Sequence, residues 1–154
     1  MRAINHAITG AIIGLAVTNP VALPLAFASH YVLDSLPHHG FNGESFPNLK
    51  LFNVLLAVDI LLCVALVAVL SIRHPEYWRL AALCAFLAAS PDFMWLSDFR
   101  RTLKGRSAQN INNRHAAVRL HHYVQWFQRP IGLIVEVAWV IGATVVLVTL
   151  LYQR

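Results

Sequence analysis

Charge is what this chain has least of. Only 12% of its 154 residues are Asp, Glu, Lys or Arg, while 58% are hydrophobic. So short a chain holds one compact domain, and so apolar a composition points to a membrane rather than to water. Cysteine is scarce as well. Cys63 and Cys84 cannot build a disulfide framework, and both fall inside apolar runs where a thiol is a small packing group. No nucleophile elbow, phosphate-binding glycine loop or thiol-histidine signature occurs, so a covalent serine or cysteine mechanism has no support. The start of the chain carries a single Arg and no cleavage site, and polar residues follow directly, so it does not read as a secretory signal.

Long apolar runs, by contrast, fill the sequence. Residues 51–72 and 131–152 each exceed the roughly 20 apolar residues that cross a bilayer as a helix. Residues 78–97 predict a third span, opened by Trp78 and Arg79 and closed by Trp95, residue types that favour the interface. Pro91 is expected to bend or end that helix near Ser90. The stretch 5–36 is interrupted by Asn19, Pro20 and Pro24. It reads either as one kinked helix or, in preference, as a hairpin in which residues 5–18 enter, the Asn-Pro pair turns, and residues 21–35 return. Gly10 and Gly14, with Ala7 and Ala11 nearby, predict a close helix contact. The expected fold is all-α: one integral membrane domain over 1–154, a polytopic helical bundle with three transmembrane helices, the N-terminal broken helix or hairpin, and an interfacial amphipathic helix over 111–128.

Against this background the ionisable residues stand out. His30 and Asp34 lie in "SHYVLDSLPHH", Asp59 in "LLAVDILL", Asp92 in "AASPDFMW" and Glu136 in "LIVEVAWV". An ionisable group in hydrocarbon costs at least about 2.5 kcal/mol, so several of them together point to use. His30 and Asp34 are four apart and project from one helical face, while Pro37 places His38 and His39 in a turn beyond the helix, able to fold back. Imidazole nitrogen and carboxylate oxygen at this spacing suit a divalent metal, zinc first and manganese or iron next. A hydrogen-bonded His-Asp pair that fixes packing is the plainer alternative, and a proton relay the third.

Net charge is +5, and seven basic residues lie between Arg100 and Arg129. Beside a membrane they set topology and attract anionic headgroups; nucleic acid is not expected as a partner. The positive-inside rule makes that segment and the 37–50 loop cytoplasmic. Asp59 then lies about 12 Å into its span and Glu136 about 8 Å, with Asp92 at a similar depth, so acids from separate helices share one level with Asp34, His38 and His39, and with His6 in the hairpin reading. Residues 111–128 read as a helix in the headgroup region, with Leu120, Val124 and Phe127 on one side and His115, Arg119 and His122 on another. His121 is a candidate general acid from that helix, against the plainer reading of an interfacial histidine. Glu136 reads two ways: a base or ligand near the pocket, or a protonated acid that joins helices or the protomers of a homo-oligomer.

The opening "NHAITGAIIG", the segment "SHYVLDSLP" and "SPDFMW" resemble the membrane-bound metal-dependent hydrolase family of small multi-span inner-membrane proteins, over about a third of the chain. The resemblance implies metal ligands or catalytic groups at His6, His30, Asp34 and Asp92, and a prokaryotic inner membrane. The chain departs from the family where Met94 and Trp95 replace the later Asp and His of "PDxDH", in segment order, and where "RLHHYVQ" stands for "HRGxTHS". A fainter likeness joins "HYVLDSLPHH" to the "HxxxDxxxPxH" pattern of zinc-dependent phospholipases, one residue short.

The expected function is therefore a metal-dependent hydrolase acting near the cytoplasmic headgroup region, on a small molecule or a lipid ester or phosphoester. His6, His30, Asp34, His38 and His39 are the candidate ligands, and Asp59, Asp92 and His121 the candidate acid-base groups. The rivals are a buried proton or cation pathway, which would string polar groups across the full thickness, and a purely structural membrane oligomer.

Overall fold

A computed structural model of the chain describes residues 1–39, 49–95, 123–124 and 129–152. Its elements are α1 (Ala3–Val17), α2 (Ala22–Asp34), α3 (Leu49–Arg73), α4 (Trp78–Ala89), a 3-10 helix (Ser90–Trp95) and α5 (Gly132–Tyr152), with no strand among the described residues. The first two helices form an antiparallel hairpin. Pro20 disfavours helical geometry at Asn19, and the chain leaves α1 through Thr18 in the left-handed region, φ 58°. Asn19 then holds the turn with both ends of its amide: Oδ1 accepts from the Val21 N–H at 2.9 Å and Nδ2 donates to the Val17 carbonyl at 3.0 Å.

α1 is the central helix, and α4 lies along it at close range. Cα-only residues make this approach feasible: a Cβ on Gly14 would stand 2.6 Å from Ala81 Cα, and one on Gly10 would overlap the Cys84 carbonyl. On the α4 side Ala81, Cys84, Ala85 and Ala88 are buried. Small residues facing small residues let two backbones pack tightly, the form of helix association that lipid favours. Around this contact Ile8 and Leu15 of α1 join Leu66 and Leu70 of α3 and Leu147 and Leu151 of α5 in one apolar core.

Two helices are long and apolar enough to cross a membrane, α3 from Val54 to Arg73 and α5 from Gly132 to Tyr152. Only 17% of each apolar window is buried, which separates them from core helices of a water-soluble domain. Leu61, Ile72, Ile134 and Val145 all face outward. In water such continuous apolar faces would drive aggregation, whereas in lipid they are the ordinary outer surface.

The expected third span is not a helix of that kind. α4 ends at Ala89, the chain tightens into the 3-10 turn, and Pro91 supplies no backbone N–H to carry an α-helix on. Twelve residues rise about 18 Å, short of the ~30 Å hydrocarbon layer. Of the segment 111–128, only 123–124 are described, and these are helical; the rest, His121 included, lie outside the described residues.

Candidate metal centre

The hairpin brings the first turn of α1 beside the last turn of α2. His6 therefore meets His30 across the pair, their rings stacked with centroids 4.0 Å apart. Asp34, one turn beyond His30, reaches both: its Oδ1 lies 3.2 Å from His6 Nε2 and its Oδ2 lies 3.2 Å from His30 Nε2. One ligand atom from each of His6, His30 and Asp34 falls within 4.8 Å of the other two, and all three side chains are fully enclosed. His6 approaches Asp34 without the alignment of a hydrogen bond, and both of its ring nitrogens are buried with no hydrogen-bond partner among the described residues. Buried polar atoms left in that state are uncommon and ask for a missing partner.

Backbone carbonyls orient two of the histidines. His30 Nδ1 is 2.8 Å from the Ala88 carbonyl. A carbonyl only accepts, so Nδ1 carries a proton, and Nε2 is the ring nitrogen turned toward Asp34. His38 repeats the arrangement with Nδ1 2.9 Å from the Leu36 carbonyl. It is buried beyond the end of α2. Burial, then the Met1 ammonium, hold its imidazole below the usual histidine range, while the Leu36 carbonyl and the Asp34 charge pull the other way. The same ammonium lies 2.6 Å from Asp34 Oδ1, so the fold keeps this carboxylate beside positive charge.

Asp92 stands at the edge of the cluster. Its Oδ1 is 3.8 Å from His30 Nε2, and its side chain is 23% exposed where the three central residues are sealed. Pro91 ends α4 just before it, so the 3-10 turn points the acid back toward α2. Tyr31 packs edge-on to His30 beside it, with ring centroids 5.3 Å apart.

The other expected site residues are placed differently. Asp59 gives both oxygens to the first turn of α1, accepting from Ala3 N–H at 2.9 Å and Ile4 N–H at 3.1 Å. It acts there as an N-terminal cap supplied by another helix, against the positive end of the α1 dipole and one turn from His6. His39 enters through its backbone, whose N–H donates to Glu136 Oε1 at 3.2 Å. Glu136 also faces Arg2, Nε to Oε2 3.5 Å, so this acid ties α5 to the start of α1 and to the turn after α2. Gly132 seals the same corner: a Cβ there would overlap the His38 backbone. His121 lies outside the described residues.

Three participants were not anticipated from the sequence. The Ala88 carbonyl has no side-chain signature at all. Asn5 is buried with its Oδ1 unpartnered among the described residues; its polarity one position before His6, in an otherwise apolar helix, was the available signal. Tyr31 is the third, and its place between His30 and Asp34 in sequence was its only mark.

Compared with family models, with curated proteins and with solved structures, the chain matches none.

Proposed function

We propose that the protein is an integral membrane, metal-dependent hydrolase whose centre is formed by His6, His30 and Asp34. The observation that carries this reading is the convergence of three sealed donor groups from two helices on one point, with an orphaned imidazole among them. Two histidines and one carboxylate are a donor set that zinc accepts in hydrolytic sites, leaving room for a further ligand; iron or manganese accept it as well. A divalent ion held there supplies Lewis acidity and activation of water.

The chain's own residues perform the remaining tasks. The Ala88 carbonyl fixes the tautomer and orientation of His30. Asp92, adjacent to the cluster and partly exposed, is the group able to take or return a proton at the open edge. Asp59 holds the turn that carries His6. Substrate would approach from the side of Asp92, whose side chain is 23% exposed where those of His6, His30 and Asp34 are sealed.

The outward apolar faces of α3 and α5 support the membrane location, and the seven basic residues from Arg100 to Arg129 support a cytoplasmic orientation of the cluster end. A centre near headgroup depth suits an ester or phosphoester of a lipid. A transmembrane proton or cation pathway fits less well, since Asn5, His6, His30, Asp34, His38, Asp59 and Glu136 crowd the end where α1 begins while Leu15, Leu66, Leu70 and Leu147 fill the space beyond. The structural reading, a sealed His-Asp cluster that only fixes packing, has the complete burial of its three donors in its favour.

Elemental analysis of the detergent-purified protein separates these readings. One equivalent of zinc, manganese or iron is expected in the wild type, lost in His30→Ala and in Asp34→Ala. Release of phosphate or fatty acid from lipid substrates is expected to need that metal and to fall in Asp92→Asn with metal retained. A wild type free of metal under non-chelating purification would sink the hydrolase, and metal without any esterase or phosphoesterase turnover would leave a structural centre.

A further inference from the structure

At the opposite end of the bundle the last turns of α1, α3 and α5 surround a cavity of about 670 Å³, lined by Thr18, Arg73, His74, Glu76, Tyr77 and Leu151. Sites for small ligands have volumes of roughly 300–1,000 Å³. The side chains here carry both signs of charge. Among the described residues neither Arg73 nor Glu76 has an ion-pair partner, although the two line the same space. The Arg73 guanidinium lies over the Tyr152 ring instead, 4.2 Å from its centroid. A guanidinium has five N–H donors, more than one ring contact can occupy. Thr18 and His74, at φ 58° and 49°, are the two non-glycine residues with positive φ among those described, and both line this cavity. Such conformations are costly for residues with a Cβ, more so when β-branched, and they concentrate at functional sites.

The location restricts the ligand. Arg73 closes α3 and Leu151 lies in the last turn of α5, the two helices long enough to cross a bilayer, so the cavity sits where hydrocarbon gives way to headgroups. We propose that it binds the headgroup of an aminophospholipid, with the phosphate against Arg73 and His74 and the primary ammonium against Glu76. A phosphodiester accepts charge-assisted hydrogen bonds from guanidinium and imidazole, and a primary ammonium donates them to a carboxylate. A choline headgroup has no N–H to donate, and a glycerol headgroup leaves Glu76 without a counter-charge. The inference rests on the membrane location proposed above and not on the metal centre.

Native mass spectrometry of the full chain in detergent tests it, with phosphatidylethanolamine, phosphatidylcholine and phosphatidylglycerol of identical acyl chains. The ethanolamine lipid is expected to bind about tenfold tighter than the other two, in line with one charge-assisted hydrogen-bond group. Glu76→Gln removes the preference for ethanolamine over choline, and Arg73→Gln weakens all three lipids. Both positions are exposed, so unchanged helicity and melting temperature show that the variants fold. Equal binding of the three lipids, or selectivity untouched by Glu76→Gln, overturns the proposal. Soluble glycerophosphoethanolamine binding as tightly as the intact lipid also overturns it, by assigning the cavity to a free zwitterion. Loss of metal with lipid selectivity intact strikes only the hydrolase reading, whereas failure to remain with vesicles on flotation strikes the membrane location itself.

Discussion

The two ends of α1 hold ionisable groups by opposite means. At its start His6, His30 and Asp34 are sealed from solvent and meet one another, with Asp59 capping the helix. At its finish Arg73, His74 and Glu76 are exposed around an open cavity. Enclosed charge is tolerated only when each group is answered by another or by an ion, because desolvation costs several kcal/mol per ion. Exposed charge needs no such answer and stays available to a ligand. The difference is the physical basis for proposing a metal centre at the first end and a lipid-headgroup site at the second.

The largest effect should come from removing the shared carboxylate. Asp34→Ala leaves two buried imidazoles facing each other without the carboxylate that both approach, and is expected to cost about 3–5 kcal/mol in addition to all bound metal. Melting temperature and metal content in detergent would measure both losses; a stable, metal-loaded variant would erase the contrast between the two ends. Next in size is the close approach of α1 to α4. Gly10→Leu forces a side chain onto the Cys84 backbone, which cannot yield, and should destabilise by about 3 kcal/mol. Gly142→Ala is its control, with no atom within 4 Å of the new Cβ, so the melting temperature should hold or rise slightly.

A smaller loss follows from Asp59→Ala, about 1–2 kcal/mol for the missing cap. It should weaken metal retention against a competing chelator through the turn that carries His6, with no change in lipid selectivity at the far end. Acidification should separate the ends as well. Histidine ligands must be neutral, so protons compete with metal, and loading is expected to fall as the pH is lowered. Lipid binding through Arg73 should persist there, because a guanidinium keeps its charge.

Much of the architecture was legible in local sequence. Asn19-Pro20 marked the turn of the hairpin because proline disfavours helix at the residue before it, and Pro91, which has no backbone N–H, marked the end of α4. The four-residue spacing of His30 and Asp34 put both on one face. What misled was the apolar composition of 78–97, which suggested a full span because it continues past the point where the backbone stops being α-helical. The role of Asp59 was not legible. Its partners are backbone N–H groups of a helix more than fifty residues away in the chain, and backbone donors leave no trace in side-chain identity. The Ala88 carbonyl that orients His30 was hidden for the same reason.

By itself, then, the sequence determined the helical hairpin at the start and the two long apolar helices, because proline placement and hydropathy act over a few residues at a time. It also placed acids and histidines in several separate apolar segments. Only the tertiary structure decided that His6, His30 and Asp34 share one point, that Asp59 serves α1, that Glu136 binds Arg2 and the turn after α2, and that Arg73 and Glu76 face one cavity. Those assignments depend on the angle and close approach at which glycine and alanine surfaces let helices pack, and a distance between remote residues follows from that packing alone.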